Sequence, residues 1–406
     1  MSDRKIYVYC HMDNEDILVG YLWVNIKGQN ETSTFQYANS WLEHKAAFPI
    51  DPSLYLTSTP QYADKPLFGC FTDCAPDRWG RVLMNRFEKT RAKEENRQPK
   101  QLNNVDFMML VNDDARQGAL RFKDDPEENF MFPADIKPIP PLIRLPELLS
   151  AAEKIDEHLE TSEDLKLLLA PGSSLGGARP KASVIDREGD LCIAKFPKKD
   201  DYGNTVLWEA VALTLAKDSG INVPSWQIKE VMGKSVIIIK RFDRDKNKRI
   251  PFASAMTLLG ASDGDKSYSY QNIADVIRQF SSNPKNDLSE LWRRIVFSVL
   301  ISNTDDHLRN HGFLRLDNNG WRLSPVYDIN PSVDNTSFLS TMISDDDNSA
   351  NLENALSVAQ YFELSDETAN NIITEVKSAV STWKKVAKQL GLSQEEINSR
   401  EVAFKV

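Results

Sequence analysis

A chain of 406 residues and 46.0 kDa exceeds one average domain, so two or three domains or subdomains are expected. Hydrophobic residues make up 41% and charged residues 27%, which supplies a large core and excludes global disorder. Acidic residues number 59 against 49 basic, a formal charge of −10, which excludes a protein that coats nucleic acid over its whole surface; DNA contact would need a local basic patch or a basic partner.

The longest strongly apolar run, Ile295 to Ile301, is far short of the roughly 20 residues a membrane span needs. Met1-Ser-Asp-Arg-Lys5 runs into a strand-like stretch without the apolar core of a signal peptide, so a cytoplasmic protein with no membrane partner is expected. The four cysteines, Cys10, Cys70, Cys74 and Cys192, are too few for a disulfide scaffold. Cys70 and Cys74 lie four apart, but no second ligand pair is spaced for zinc, and ordinary buried or half-buried thiols are the expectation.

In chain order, Ile6–Tyr9, Leu18–Val24, Phe35–Tyr37 and Leu54–Leu56 are rich in aromatic and β-branched residues and read as strands. Asp73 to Lys93 reads as a helix, with Trp79, Val82, Leu83, Arg86 and Phe87 at helical spacing. Its basic residues and those just beyond, from Arg86 to Lys100, read as a solvated face before a nucleic-acid contact. Five prolines between Pro133 and Pro146 resist helix and central strand, placing a linker at 133–147. A helix over Glu147 to Leu169 follows, then the Gly- and Ser-rich turn Pro171 to Lys181 and a hairpin of Ala182–Asp186 with Leu191–Phe196. Thr205–Ser219 reads as a helix capped by Gly220, and Ser225–Glu230 with Ser235–Phe242 as another hairpin. Beyond about 250 the pattern turns helical: Leu288, Leu291, Trp292, Ile295, Val296, Val299 and Leu300 follow the i, i+3, i+4 rule. The loop Ser302–His311 comes next, then a short hairpin around Asp317–Gly320. A helical C-terminal third carries one long apolar stripe from Ala369 to Leu390.

Five features in order match the parts of a phosphoryl-transfer site. Gly172 and Gly176-Gly177 let backbone N–H groups approach phosphate oxygens, although no Walker Gly-Lys-Ser/Thr follows. Lys195 ends a strand in Ile193-Ala-Lys195, the setting of the kinase strand lysine. Glu209 lies near the apolar face of the next helix and wants a cationic partner, with Lys195 available. Asp305 and Asn310 are five apart in Asn303-Thr-Asp-Asp-His-Leu-Arg-Asn310, the separation of base and Mg²⁺-binding Asn in a kinase catalytic loop. Asp328, 23 residues on, stands where a further metal carboxylate belongs. Each is commonplace alone: a turn, an edge-strand lysine, a helix-surface carboxylate, an acidic loop, an aspartate after a strand. The ordered set is not. His307 and His311, at a spacing that can bind metal on a helix, read in this loop as hydrogen-bond partners of its backbone.

Gly172 to Ala182, Asn303 to Asn310 and Pro325 to Ser332 resemble the three signatures of the HipA family of bacterial toxin kinases. Phe35–Tyr37, Pro66–Phe68, Asp106–Leu110 and Gly118–Leu120 are similar to that family's N-terminal domain. The resemblance implies an α+β, protein-kinase-like two-lobed fold variant. It would comprise a β-rich domain at 1–132, a kinase N-lobe-like region at 148–249 and an all-α C-lobe at 250–406. It implies an ATP- and Mg²⁺-dependent serine/threonine protein kinase with Asp305 as catalytic base and Asn310 and Asp328 as metal ligands. Lys195 would hold phosphates, Lys181 would lie in the nucleotide loop with Gly176 and Gly177, and Lys240 and Phe242 would fall at the adenine hinge. Glu209 and His307 complete the implied nucleotide site, and Ser174 or its neighbour Ser173 would be autophosphorylated. The implied partner is a HipB-like helix-turn-helix antitoxin that carries the kinase to operator DNA. The implied substrate is a translation component such as an aminoacyl-tRNA synthetase. Asp306 stands where the family often has Gly and adds a charge beside the base. A catalytically weak co-repressor module and a small-molecule kinase are the alternatives.

Overall fold

The computed structural model describes residues 2–28, 30–130, 139–169, 177, 179–201, 203–246, 248–317, 319–333 and 337–406. Two compact units emerge: Met1–Lys199 with Val231–Lys234 and Ile238–Ala253, and Asp200–Glu230 with Ser235–Ile237 and Ser254–Val406.

The first unit is built on an antiparallel sheet of β1 (Ser2–Met12), β2 (Glu15–Lys27), β3 (Asn30–Tyr37), β4 (Gln61–Tyr62) and β5 (Leu120–Lys123), in the order β4-β3-β2-β1-β5. Alternation sends Ile6, Val8, Cys10, Leu22, Val24 and Phe35 into the core, where Phe35, Phe71 and Phe122 meet at tilted and edge-to-face angles. Gly20 is required where β2 meets β3, because a Cβ there would lie 2.3 Å from the Gln36 carbonyl oxygen. The expected strand at Leu54–Leu56 is not one. Gln61 takes both backbone groups of Tyr55 through its side chain, at 2.8 and 2.9 Å, and satisfies them without a ladder.

The helix expected from Asp73 starts later, as α1 (Arg78–Glu94). Pro76 interrupts the run, and Asp77 caps the new start by accepting from Gly80 N at 2.8 Å. Within the basic stretch Arg86 pairs with Glu160, Arg91 with Glu95, Arg97 with Glu88 and Lys100 with Asp106. The helix expected over 147–169 divides into α2 (Leu145–Asp156) and α3 (Ser162–Leu169), because His158 takes a positive φ and Thr161 and Asp164 cap the second start reciprocally. Strands β6 (Lys181–Ile185) and β7 (Leu191–Lys195) form the expected hairpin, with Lys181 opposite Lys195. Strands β8 (Trp226–Val231) and β9 (Lys234–Lys240) follow, joined by Met232-Gly233, both at positive φ.

The second unit is mainly helical: α4 (Thr205–Asp218), α5 (Tyr270–Phe280), α6 (Pro284–Leu300), α7 (Asp366–Val380), α8 (Trp383–Gln389) and α9 (Gln394–Ser399), with the hairpin β10 (Gly312–Asp317) and β11 (Gly320–Leu323). Gly220, at φ +77, ends α4 as expected, and the apolar stripe of α6 is fully buried. The long C-terminal stripe is broken at Ser381-Thr382 and resumes at Trp383, which stacks on Phe404 at 4.1 Å. Among the described residues no helix is long and apolar enough to cross a membrane. Cys70 and Cys74 are buried free thiols, and burial pushes the Cys74 thiol up to about 12.

Candidate active site

Helix α6 delivers the loop 302–311 to the surface of the second unit, and the turn begins with Ser302 at φ +51. A β-carbon in the left-handed region costs about 1–3 kcal/mol, so the surroundings must enforce it. They do: Asn303 N donates back to Ser298 O at 2.9 Å, and Ser332 N donates to Ser302 O at 3.1 Å. Consecutive aspartates then point in opposite senses. Asp305 is exposed, whereas Asp306 is 4% exposed and turned inward.

Asp306 Oδ2 accepts from Tyr270 Oη and, at 3.2 Å, from Ser298 Oγ, and His311 Nε2 lies 3.2 Å from Oδ1. Burial pushes the Asp306 carboxyl up, but the His311 ring beside it and the Tyr270 hydrogen bond outweigh it and hold the group below its ordinary range. The charge added beside Asp305 is thus consumed within the unit. Neither histidine hydrogen-bonds the loop backbone through its ring among the described residues. A buried carboxylate needs a cationic or donor partner more than a carbonyl does, and His311 faces it; His307 Nδ1 is buried without a hydrogen-bond partner among the described residues.

Asn310 is fixed at both ends of its residue: N donates to His307 O at 2.8 Å and Nδ2 donates to Asp305 O at 3.1 Å. That leaves Oδ1, the acceptor, buried and without a hydrogen-bond partner among the described residues. Asp328 takes φ +57 at the end of Pro325–Asp328. Its segment is laced to the loop: Asn330 N donates to Asn303 Oδ1 at 3.1 Å and Tyr327 Oη donates to Arg309 O. Arg400, buried, holds the other side through Pro331 O at 3.2 Å. The protein around the Asp305 carboxyl pushes it above its ordinary range, His307 opposes, and Asp328 and Asp306 push the same way as burial. Asp305 and Asp328 therefore feel one another's charge, and solvent at Asp305 keeps the effect modest.

This donor set suits a small hard cation. Among the described residues no group of three or more His, Cys, Asp or Glu makes a metal cage. Magnesium does not need one, since it is commonly held by one or two carboxylates and completed by phosphate oxygens and water. Asp328 and the orphaned Asn310 Oδ1 fit that description.

In the first unit, Lys195 is buried at the end of β7, and Gly177 takes φ +92. Lys181 is 1% exposed, with Nζ 2.6 Å from Asp77 Oδ2. Lys240 pairs with Asp190, and Phe242 packs 6.5 Å from Phe252. Glu209 is buried on α4 of the second unit. Ser173, Ser174 and Gly176 lie outside the described residues. The second unit brings Asp305, His307, Asn310 and Asp328 together, and the β6–β7 hairpin brings Lys181 opposite Lys195. Sequence reasoning missed Tyr270, Ser298, Arg400 and Asp77 as supports, and it gave His311 the loop backbone as partner where the structure gives it Asp306. A buried polar residue on an otherwise apolar helix face, as with Tyr270 and Ser298, was the available signal.

A model of the HipA-like C-terminal domain matches residues 173–383, and one of the HipA N-terminal domain matches residues 11–122. A provisionally named kinase of Haemophilus influenzae is 28% identical over 182 residues, 39% of this chain and 52% of that protein, so the match spans about half of the relative. The provisionally named kinase Y4mE of Sinorhizobium fredii is 23% identical over 330 residues, 74% of this chain and 72% of its own length. The serine/threonine-protein kinase CtkA of Helicobacter pylori is 26% identical over 169 residues, 39% of this chain and 51% of its own. A chain of the Shewanella oneidensis MR-1 toxin–antitoxin complex of HipA, HipB and operator DNA superposes with a TM-score of 0.70 over 98% of this chain and 94% of that one. At 17% identity this is a likeness of fold.

Proposed function

The chain belongs to the HipA family, and from that premise we propose that it is an ATP- and Mg²⁺-dependent serine/threonine protein kinase, the toxin of a toxin–antitoxin pair. The observation that carries the chemistry is the loop holding an outward Asp305 beside Asn310, whose Oδ1 has no hydrogen-bond partner among the described residues, laced to the segment of Asp328. Asp305 orients the acceptor hydroxyl of the substrate and takes its proton, a task its raised carboxyl favours. Asn310 and Asp328 would hold Mg²⁺, which would neutralise charge on the transferring phosphoryl group. Lys195 and the backbone at Gly177 bind the nucleotide phosphates, Glu209 belongs to the same nucleotide-binding set, and Lys240 and Phe242 border the adenine. His307 completes the nucleotide-binding set, and its ring opposes the upward push on the Asp305 carboxyl.

Ser174, or Ser173, is the autophosphorylation site, and a phosphoserine beside the nucleotide loop switches the kinase off by repelling the triphosphate. A helix-turn-helix antitoxin is the partner, and operator DNA is reached through it, consistent with an acidic chain. The substrate is a protein of translation such as an aminoacyl-tRNA synthetase, and the site of action is the cytoplasm. Incubation with radiolabelled Mg-ATP and a host lysate, followed by phosphoamino-acid analysis, tests the reading. Labelled serine or threonine is expected, with growth arrest on overexpression that the antitoxin relieves. No label transfer to any protein would sink the kinase assignment, and harmless overexpression of an active kinase would sink the toxin role alone.

A further inference from the structure

Lys181 and Lys195 face each other across the β6–β7 hairpin. Residues directly opposed in an antiparallel pair place their side chains on one face, with Cβ atoms about 5 Å apart, where like charges are destabilising. Both lysines are buried, so each ammonium group needs a counter-charge. Asp77 supplies it to Lys181: Oδ2 lies 2.6 Å from Nζ, and the two side chains are only 6% and 2% exposed. Asp77 is itself fixed as the N-cap of α1 through Gly80 N. Two residues on, Trp79 Nε1 donates to the Lys181 carbonyl at 3.2 Å. Lys181 Nζ in turn donates to Gly177 O at 3.3 Å, in the glycine-rich turn. Three contacts therefore run from the start of α1, through Lys181, to the last glycine of that turn.

We propose that Asp77 and Trp79, from the region matching the HipA N-terminal domain, are positioning residues for nucleotide binding. They make Lys181 the fixed anchor of Gly177 and assign the phosphates to Lys195. For Lys181 to reach a phosphate it would have to strip Asp77 of its counter-ion in a water-poor setting. The proposal rests on the kinase reading and adds that the N-terminal region is part of the nucleotide site's scaffold.

The test uses the full-length chain. Mg-ATP binding is measured by calorimetry and KM against kcat by steady-state kinetics, for wild type, Asp77→Asn and Trp79→Phe; tryptic cleavage after Lys181 is followed in parallel. In Asp77→Asn the KM for ATP should rise about tenfold beyond any fall in kcat, the scale of a small misplacement of a binding group. Cleavage after Lys181, protected in wild type, should become fast. Trp79→Phe, which removes one N–H from a retained aromatic, should raise KM in the same direction, by about threefold, and decides the matter if Asp77→Asn does not fold. Unchanged ATP affinity in the folded variants would reduce the contacts to structural support and overturn the proposal. Tighter binding in Asp77→Asn would overturn it too, by making Lys181 a phosphate ligand that Asp77 withholds. A wild-type chain that binds no Mg-ATP would defeat the kinase reading instead, whatever the variants do.

Discussion

Asn303 Oδ1 accepts the backbone N–H of Asn330 at 3.1 Å, one of the hydrogen bonds that join the loop carrying Asp305 and Asn310 to the segment carrying Asp328. The same side chain reaches back to Ser298 Oγ at 3.4 Å, so it is fixed from helix α6 and transmits that position to the neighbouring segment. Asn303→Ala deletes the bridge without touching a proposed metal or substrate ligand. A loss of about 100-fold in kcat is expected, with the KM for ATP changed much less, because the reacting groups and not the nucleotide pocket are displaced. Phosphoryl-transfer kinetics check it, and wild-type kcat would show that the bridge is dispensable.

Asp305→Asn and Asp328→Asn keep size and most hydrogen bonds while removing one carboxylate each. Transition-state charge in phosphoryl transfer is handled by positioned polar groups and metal, so each loss should raise the barrier by about 3–4 kcal/mol or more. The fold should survive, since Asp305 is exposed and Asp328 half-buried. Radiolabelled ATP assays with circular dichroism as a control separate lost chemistry from lost structure. Near-normal activity in Asp305→Asn would remove it from the role of base.

Much of this site was legible because its parts are local in sequence. Asp305 and Asn310 share one loop, and the apolar stripe of α6 fixed where that loop begins. The hairpin before Asp328 was announced by its turn residues. The supports were not legible, because each is a long-range contact: Tyr270 reaches Asp306 across 36 residues, and Lys181 lies 104 residues from Asp77. Periodicity cannot see such pairs. It also ran helices together at Pro76, at His158 and at Ser381-Thr382, where caps and backbone reversals interrupt stripes that are continuous on paper.

Asp243 makes a pH-dependent claim on stability. Wholly buried, it accepts from Arg241 at 2.8 and 2.6 Å, from Arg244 at 2.9 Å and from Gly118 N at 2.8 Å. Burial pushes its carboxyl up, but Arg241 and Arg244 beside it, with the Arg241 and Gly118 hydrogen bonds, hold it well below the ordinary range. A carboxyl lowered by folding contributes fully above its unfolded-state value, near 3.9, and loses that contribution as pH falls toward the folded value. Asp243→Asn should therefore cost about 3–5 kcal/mol at pH 7, because two arginines are left buried with less counter-charge. The gap to wild type should narrow below about pH 4. Urea unfolding at pH 7 and in acid measures both, and a gap that does not depend on pH would show that the ion pairs are not the source.

Tyr270 and Asp306 carry the last prediction. The phenol of Tyr270, on α5, donates to Asp306 Oδ2 in the interior, and burial with the adjacent carboxylate pushes the phenol far above its ordinary range, so it stays a donor. The Asp306 backbone carbonyl accepts from Thr341 N at 3.1 Å, and Thr304 O accepts from Ser340 N at 2.9 Å. One inward aspartate thus pins the loop that sets Asp305 outward, from α5, α6 and the 340–341 segment together. Tyr270→Phe removes only the hydroxyl and keeps the ring packed against His311. A loss of about 1–3 kcal/mol in stability is expected, because a buried carboxylate loses a donor. If the pin also orients Asp305, kcat should fall while the KM for ATP holds, and Asp306→Asn, which keeps the shape but drops the charge, should do the same. Both variants losing stability with kcat intact would confine the network to the fold; a fall in kcat at temperatures well below the melting transition places it in the alignment of the base.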